Sequence, residues 1–220
     1  TYILQYCNEL QADCSSMARI KPPLRIGIPP MLSTVFFPEL LNVFQEVHPE
    51  IPIVLEEYGS IRACNLVQND TLDLALVNME QYNIDKFNQI LLANDQIVFC
   101  VNDEHPLAKR EIITTDEMAK ESLVFFNGDS VINQLLKLRF ELHDYTPNVI
   151  MRSSQIYTTL QFLKTKKYGC FFFSSMTDKF NHIVGIPLQP PIQVKIGIIW
   201  KKGKYIRNDM QTFLNFTKKY

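Results

Sequence analysis

Leu24-Arg25-Ile26-Gly27-Ile28-Pro29, then Ser33-Thr34, then an amphipathic run over 36–47, is the stretch that decides the fold. Behind it come Ile51-Pro52-Ile53-Val54-Leu55, a short helical run over 61–68, and Leu72-Asp73-Leu74-Ala75-Leu76-Val77. The order reads strand, helix, strand, helix, strand. The strands are short, apolar and rich in β-branched residues, as strands buried on both faces of a parallel sheet tend to be. In such βαβ units, small ligands sit where strand carboxyl ends meet helix amino ends. The helix over 36–47 places Phe37, Leu40, Leu41, Phe44 and Val47 on one face, and Ser33 or Thr34 is placed to cap it.

The same rhythm returns further along. Ile97-Val98-Phe99-Cys100-Val101 reads as a strand, and Thr115 or Asp116 as the cap of a short helix. Leu123-Val124-Phe125-Phe126 runs into Asn127-Gly128-Asp129-Ser130 and a helix over 131–142. A strand over 147–151, a helix capped by Ser153-Ser154, and the strand Gly169-Cys170-Phe171-Phe172-Phe173 complete the block. A last strand over 194–200, a lysine-rich turn and a helix over 209–216 close the chain. Two βα blocks, each with small polar residues after its inner strands, make two halves facing across a cleft.

Composition narrows the function. Of 220 residues, 46% are hydrophobic, enough to bury a substantial core. The net charge of −1 argues against this chain gripping a phosphate backbone by itself, which takes clustered excess Lys and Arg. No apolar stretch is long enough for a membrane span, and the amino end shows no secretory signal. The chain begins at Thr1 and reads as a fragment. Five widely spaced cysteines, Cys7, Cys14, Cys64, Cys100 and Cys170, fit reduced thiols in the cytoplasm better than a disulfide framework. The four histidines stand far apart, without metal-ligand spacing, and neither a phosphate-binding glycine loop nor a nucleophile elbow occurs. No cofactor, metal site or catalytic residue is expected.

The first residues stand apart from the rest. Ile3, Cys7, Leu10, Cys14 and Met17 repeat at alternating spacings of four and three, an a/d seam that Pro22-Pro23 ends. This suits a dimerising linker helix, or an amphipathic helix lying on its own domain.

The candidate ligand contacts follow from the strand ends. Ser33 and Thr34 offer hydroxyls and helix N–H groups to an anion. Asn127, Gly128 and Ser130 form the facing lip, Ser154 and Gln155 open another helix, and Ser60 and Asn78 follow inner strands of the first half. Helix capping or a plain turn is the competing reading at each position. Asp73, at a strand start, reads as a structural hydrogen-bonding residue, and Lys201, Lys202, Lys204 and Arg207 read as a solvated basic surface.

Four segments in order resemble the effector-binding region of LysR-type transcriptional regulators. They are Leu24-Arg25-Ile26-Gly27 with Pro38, Leu40, Leu41, Phe44 and His48-Pro49; Leu72-Asp73-Leu74-Ala75-Leu76; His105-Pro106-Leu107-Ala108; and Ile186-Pro187-Leu188 with Ile198-Ile199-Trp200-Lys201-Lys202-Gly203 and Phe213-Leu214. The resemblance implies an α/β fold of two Rossmann-like subdomains joined by two crossing strands, like the type 2 periplasmic binding proteins. It places a linker helix at 1–21, subdomain I at 22–97 and 198–220, and subdomain II at 98–197, with the crossings over 97–101 and 194–200. It implies a cytoplasmic, non-catalytic regulator that binds a small anionic effector between the subdomains. Its partners would be a second copy, as homodimer or tetramer, and promoter DNA and RNA polymerase through an absent winged helix-turn-helix. A transporter's solute-binding protein, or an enzyme on the same fold, is the alternative. Phe171, Phe172 and Phe173 stand where the family often has a Gly-rich turn and a proline, and are expected to fill part of the pocket.

Overall fold

The computed structural model describes residues 22–35, 37–80 and 84–219, together with Tyr2, Tyr6 and Cys7. Apart from Cys7, which is helical and exposed, the seam residues Ile3, Leu10, Cys14 and Met17 lie outside the described residues.

The first block forms β1 (Leu24–Ile28), α1 (Pro30–Val35), α2 (Phe37–Val47), β2 (Ile53–Glu57), α3 (Ser60–Gln68) and β3 (Leu74–Asn78). β1 pairs in parallel with β2 and β3. Alternation along these strands sorts the core into two layers. Leu24, Ile26, Ile28, Leu74 and Leu76 join the cluster that contains Leu40 and Phe44 of α2. Ala75 and Val77 pack instead with Ala63, Cys64 and Val67 of α3.

β4 (Phe87–Asn102) and β9 (Ile183–Lys201) are far longer than the strands read from sequence over 97–101 and 194–200. They pair antiparallel along most of their length. In the first half β9 lies next to β3, through Ala75 with Ile199 to Asn78 with Ile196. In the second half β4 takes the inner place, pairing with β8 (Tyr168–Phe173) from Ile97 with Phe173 to Cys100 with Cys170. Residues 92–96 of β4 and 193–195 of β9 lie between these two sets of pairings. The ladder shifts register at both ends of this segment, between Leu91 and Ala93 and between Ile97 and Val98. At the second shift β9 loops away from β4, and Leu188 and Gln189 pair with β5 (Ile113–Thr114). The strand order is β2-β1-β3-β9-β4-β8-β6-β7, with β6 (Ser122–Phe125) and β7 (Asn148–Arg152) completing the second half.

The remaining helices are α4 (Thr115–Met118), α5 (Val131–Glu141), α6 (Ile156–Leu163), α7 (Ser174–Thr177) and α8 (Asn208–Thr217). Sequence places the cap of α4 at Thr115 or Asp116, but the structure puts it one residue earlier. Thr114 accepts from the Glu117 N–H, and the Glu117 carboxylate accepts from the Thr114 N–H at 2.9 Å, a reciprocal capping box. Thr114→Ala is expected to cost about 1 kcal/mol in urea denaturation.

α8 returns to the first half. Phe213 meets Phe44 of α2 edge-on at 5.0 Å, and Phe216 meets the same ring at 5.2 Å. The turn before α8 is not the solvated basic surface read from sequence. Lys201 bonds Asp70, Lys204 donates to Asp73 at 3.0 Å, and Arg207 pairs with Asp209 at 3.0 Å. Asp73 also accepts from the Arg25 backbone N–H at 3.0 Å, which gives it the structural role read from sequence.

Candidate functional site

The loops at the carboxyl ends of the parallel strands converge on one cavity of about 250 Å³ between the halves. It is smaller than the roughly 300–1,000 Å³ typical of pockets for drug-sized molecules, so it suits a compact ligand. The first half contributes Pro29 to Leu32 after β1, Glu57, Tyr58, Gly59, Ser60 and Arg62 after β2, and Asn78 at the end of β3. The second half contributes Phe126, Asn127, Asp129 and Ser130 after β6, Ser154 after β7, and Phe173 at the end of β8. Five of the nine residues chosen from sequence therefore meet in one place: Ser60, Asn78, Asn127, Ser130 and Ser154. Thr34 and Gln155 line a more open depression of about 490 Å³ with Ile156, Tyr157, Leu160 and Phe180, and it shares Pro30, Glu57 and Ser154 with the cavity.

Ser33 and Gly128 line neither space. The helix that sequence has Ser33 and Thr34 capping starts at Phe37, but a separate short helix, α1, precedes it and begins at Pro30, a favoured first helical residue. Ser33 therefore lies inside α1. Its N–H donates to the Pro29 carbonyl at 2.9 Å, and its hydroxyl bonds the Pro30 carbonyl at 2.9 Å and the Glu57 carboxylate. The Thr34 hydroxyl donates to the Pro30 carbonyl at 2.8 Å. Phe171 and Phe172 do not fill the cavity either. Both are buried within the core, and only Phe173 reaches the lining.

A hydrogen-bond network sets the shape of each wall. Asn133, buried on α5, accepts from the Phe126 N–H at 3.1 Å and donates to the carbonyls of Phe126 and Asn127. This pins the loop that presents Asn127, whose amide donates to the Ser154 hydroxyl at 3.2 Å. Across the cleft, the Ser60 hydroxyl accepts from the Asn78 N–H at 3.0 Å, and the Asn78 side-chain Oδ1 accepts from the Glu80 N–H at 3.2 Å. The Asn78 side-chain Nδ2 has no hydrogen-bond partner among the described residues, although Asn78 is 3% exposed. Buried polar atoms are almost always paired, and this unpaired one belongs to a residue that lines the cavity.

The charges in the cavity wall were not picked out from sequence. The Arg62 guanidinium lies 4.7 Å above the Tyr58 ring, a cation–π arrangement. The Tyr58 hydroxyl donates to Glu56, and that bond pushes the phenol's pKa up. Asp129 reaches across the cleft: its carboxylate accepts from the Gly59 N–H at 2.9 Å, and its carbonyl accepts from the Ile61 N–H at 3.4 Å. Arg62 could have been found one turn into a helix that opens at a strand end, and Asp129 lies within the cluster already singled out.

Among the described residues there is no cluster of His, Cys, Asp and Glu that could hold a metal ion. Cys64, Cys100 and Cys170 are buried. Burial pushes the Cys64 thiol up to about 12 and raises that of Cys170 as well, so both stay protonated. No described helix is long and apolar enough to cross a membrane.

The family described as LysR substrate binding domain matches residues 18–220. The HTH-type transcriptional regulator YwbI of Bacillus subtilis (strain 168) is 27% identical over 204 residues, covering 91% of this chain and 67% of that protein. The dual regulator GltC of the same organism is 22% identical, covering 88% of this chain and 65% of its own length. The chain thus spans about two thirds of these relatives. Two solved structures share its fold. The effector-binding domain of QuiR in complex with shikimate has a TM-score of 0.77 at 20% identity, covering 91% of this chain and 97% of its own. The CcmR regulatory domain of Synechocystis PCC6803 in complex with 2-PG has a TM-score of 0.80 at 18% identity, covering 90% of this chain and 96% of its own. With its two βα halves threaded by two long strands and its polar strand ends gathered at one cleft, the chain belongs to the LysR substrate-binding domain family.

Proposed function

We propose that this chain senses a compact organic molecule in the cleft and passes the result to a DNA-binding domain elsewhere in the full-length protein. The observation that carries the reading is the cavity itself, walled by both halves and fitted with the unpartnered Asn78 amide, the Arg62 guanidinium and the Ser154 hydroxyl. The QuiR and CcmR domains were solved in complex with shikimate and 2-PG, and those compact polar molecules suit a space of this size and character. An anionic effector fits the donors. It acts only if it binds one arrangement of the halves more tightly than another. The subdomains would divide at 22–97 with 198–220 against 98–197. The full-length protein would work in the cytoplasm as a homodimer or tetramer on promoter DNA, in contact with RNA polymerase. A sensing role rather than catalysis is supported by the ionisable wall groups, since the Glu57 and Asp129 carboxylates are already engaged by the Ser33 hydroxyl and by the Gly59 N–H.

A calorimetric screen of small carboxylates, shikimate included, tests this reading. A hit is expected to bind about tenfold more weakly to Asn78→Ala, because a buried donor to a charged acceptor is lost. The unfolding free energy should fall by about 1 kcal/mol, since Nδ2 makes no bond among the described residues but the substitution also removes the Oδ1 that accepts from the Glu80 N–H. A hit that binds wild type and variant equally would place the ligand elsewhere.

A further inference from the structure

Asp129 already occupies the position an anionic ligand would want. Its carboxylate accepts from the N–H of Gly59, the cap residue of α3, and its carbonyl accepts from the N–H of Ile61 in the first turn. These are the orphan donors of a nine-residue helix, whose amino end carries partial positive charge. Gly59 has an ordinary extended backbone, φ −59 and ψ 152, that any residue adopts, so conformation does not call for glycine there. Space does. A Cβ at Gly59 would lie 2.4 Å from both the Asp129 Cγ and the Asp129 carbonyl oxygen, so any larger residue would drive the two chains apart. At Gly128, next to Asp129, a Cβ would meet nothing within 4 Å. The tight fit thus lies on the α3 side, and the sequence at 59 is matched to a contact that exists only when the halves approach. A second observation at the same cavity points to a ligand: Asn78, which lines it, has a buried Nδ2 with no hydrogen-bond partner among the described residues. Asp129 satisfies the α3 amino end and leaves that donor unused.

We propose that Asp129 is a tethered ligand of the α3 amino end, holding the halves together in the absence of effector, and that a small organic or inorganic oxyanion binds by taking its place. This rests on the sensing role proposed above and adds the mode of regulation: the incoming anion competes with a carboxylate of the protein itself. Displacement leaves Asp129 beside the bound anion as an unpaired like charge, and repulsion then favours parting the halves at the β6–α5 loop. The effector's signal would be the loss of an internal contact, and its apparent affinity would be lowered by the fraction of molecules in which Asp129 is seated.

Two measurements on the whole chain test this. In amide hydrogen exchange with no added anion, Gly59 and Ile61 should exchange about tenfold faster in Asp129→Ala than in wild type, with Asp129→Asn between them. Gly59→Ala should reproduce the effect at Ile61, and combining it with Asp129→Ala should add nothing, because both remove one contact. Unchanged exchange at Ile61 in both variants would overturn the tether. In a titration with inorganic phosphate or benzoate, followed at the Ile61 amide resonance, Asp129→Ala should saturate at about tenfold lower concentration than wild type. Equal midpoints, or no saturation in either protein, would overturn displacement. The exchange arm uses no ligand, so it can fail while the cleft still binds an effector, and it can succeed where every screened effector fails.

Discussion

Phe171→Ala is expected to lower the unfolding free energy by about 3–5 kcal/mol, read from the urea midpoint. Phe171 is 1% exposed and sits in the middle of β8, opposite Phe99 of β4. Its ring lies 5.4 Å from that of Phe99 and meets Phe125 of β6 edge-on at 5.7 Å. One ring thus joins three neighbouring strands, and each aromatic pair adds roughly 0.5–1.5 kcal/mol beyond area burial. Collapse around the lost ring is blocked on one side, because the Phe99 ring already lies against Gly169, within 2.2 Å of where a Cβ there would stand. A loss below about 1.5 kcal/mol would mean that this layer repacks freely. Phe173, at the end of the same strand, borders the cleft instead, so shortening it should cost less and enlarge the cavity.

Asp73→Ala is expected to cost about 2–4 kcal/mol and to change how stability depends on pH. The Asp73 side chain is 4% exposed and faces three cations. Arg25 donates from its backbone N–H at 3.0 Å and its Nε at 3.3 Å, Lys204 lies at 3.0 Å, and Arg207 at 3.7 Å. Removal strands these cations together. Burial alone would push the Asp73 carboxyl up, but the bonds from Arg25 and Lys204 outweigh it and hold the group below its ordinary value. A carboxyl depressed in the folded state contributes its full stability above the unfolded value of about 3.9. That contribution fades as pH falls from there through the folded value. Wild type should therefore lose more stability than the variant between about pH 5 and the acid limit. Parallel curves for the two proteins in that window would rule out Asp73 as a source of the acid sensitivity.

The inner strands and their order were legible because each is a short apolar run bounded by breakers. The lengths of β4 and β9 were not. After the buried Phe87, residues 88–96 of β4 are all partly buried or exposed and carry polar Asn88, Gln89, Asn94 and Asp95. β9 contains Pro187, Pro190 and Pro191, which argue against a strand until its ladder is seen to loop away from β4 there. Site residues at strand ends were legible for the same geometric reason that they converge. Ser33 and Thr34 were misplaced because a proline at a first helical position starts a separate short helix that takes both residues into its interior. Asp129 takes its meaning from Gly59 and Ile61 on the opposite wall, which a one-dimensional pattern does not pair, and Arg62 from the Tyr58 ring beside it. Asn133, whose contribution is to hold a loop from beneath, looks in sequence like any polar residue on a helix.

The interleaving of the halves along the chain also bears on synthesis. Ile196 to Ile199 supply the strand beside β3, and Phe213 and Phe216 close over Phe44. The amino-terminal half, though made first, lacks an inner strand and a covering helix until the last residues have emerged. The second half takes from beyond β8 only the opening portion of β9, through Ile192, so most of its own sheet is complete before α8 is translated. Assembly on the ribosome should therefore run inside out, with the middle of the chain settling before its beginning, and the exposed β1 and β3 faces would need shelter meanwhile. Pulse-labelled hydrogen exchange during refolding should find β6 and β8 amides protected before those of β1, and the opposite order would refute it.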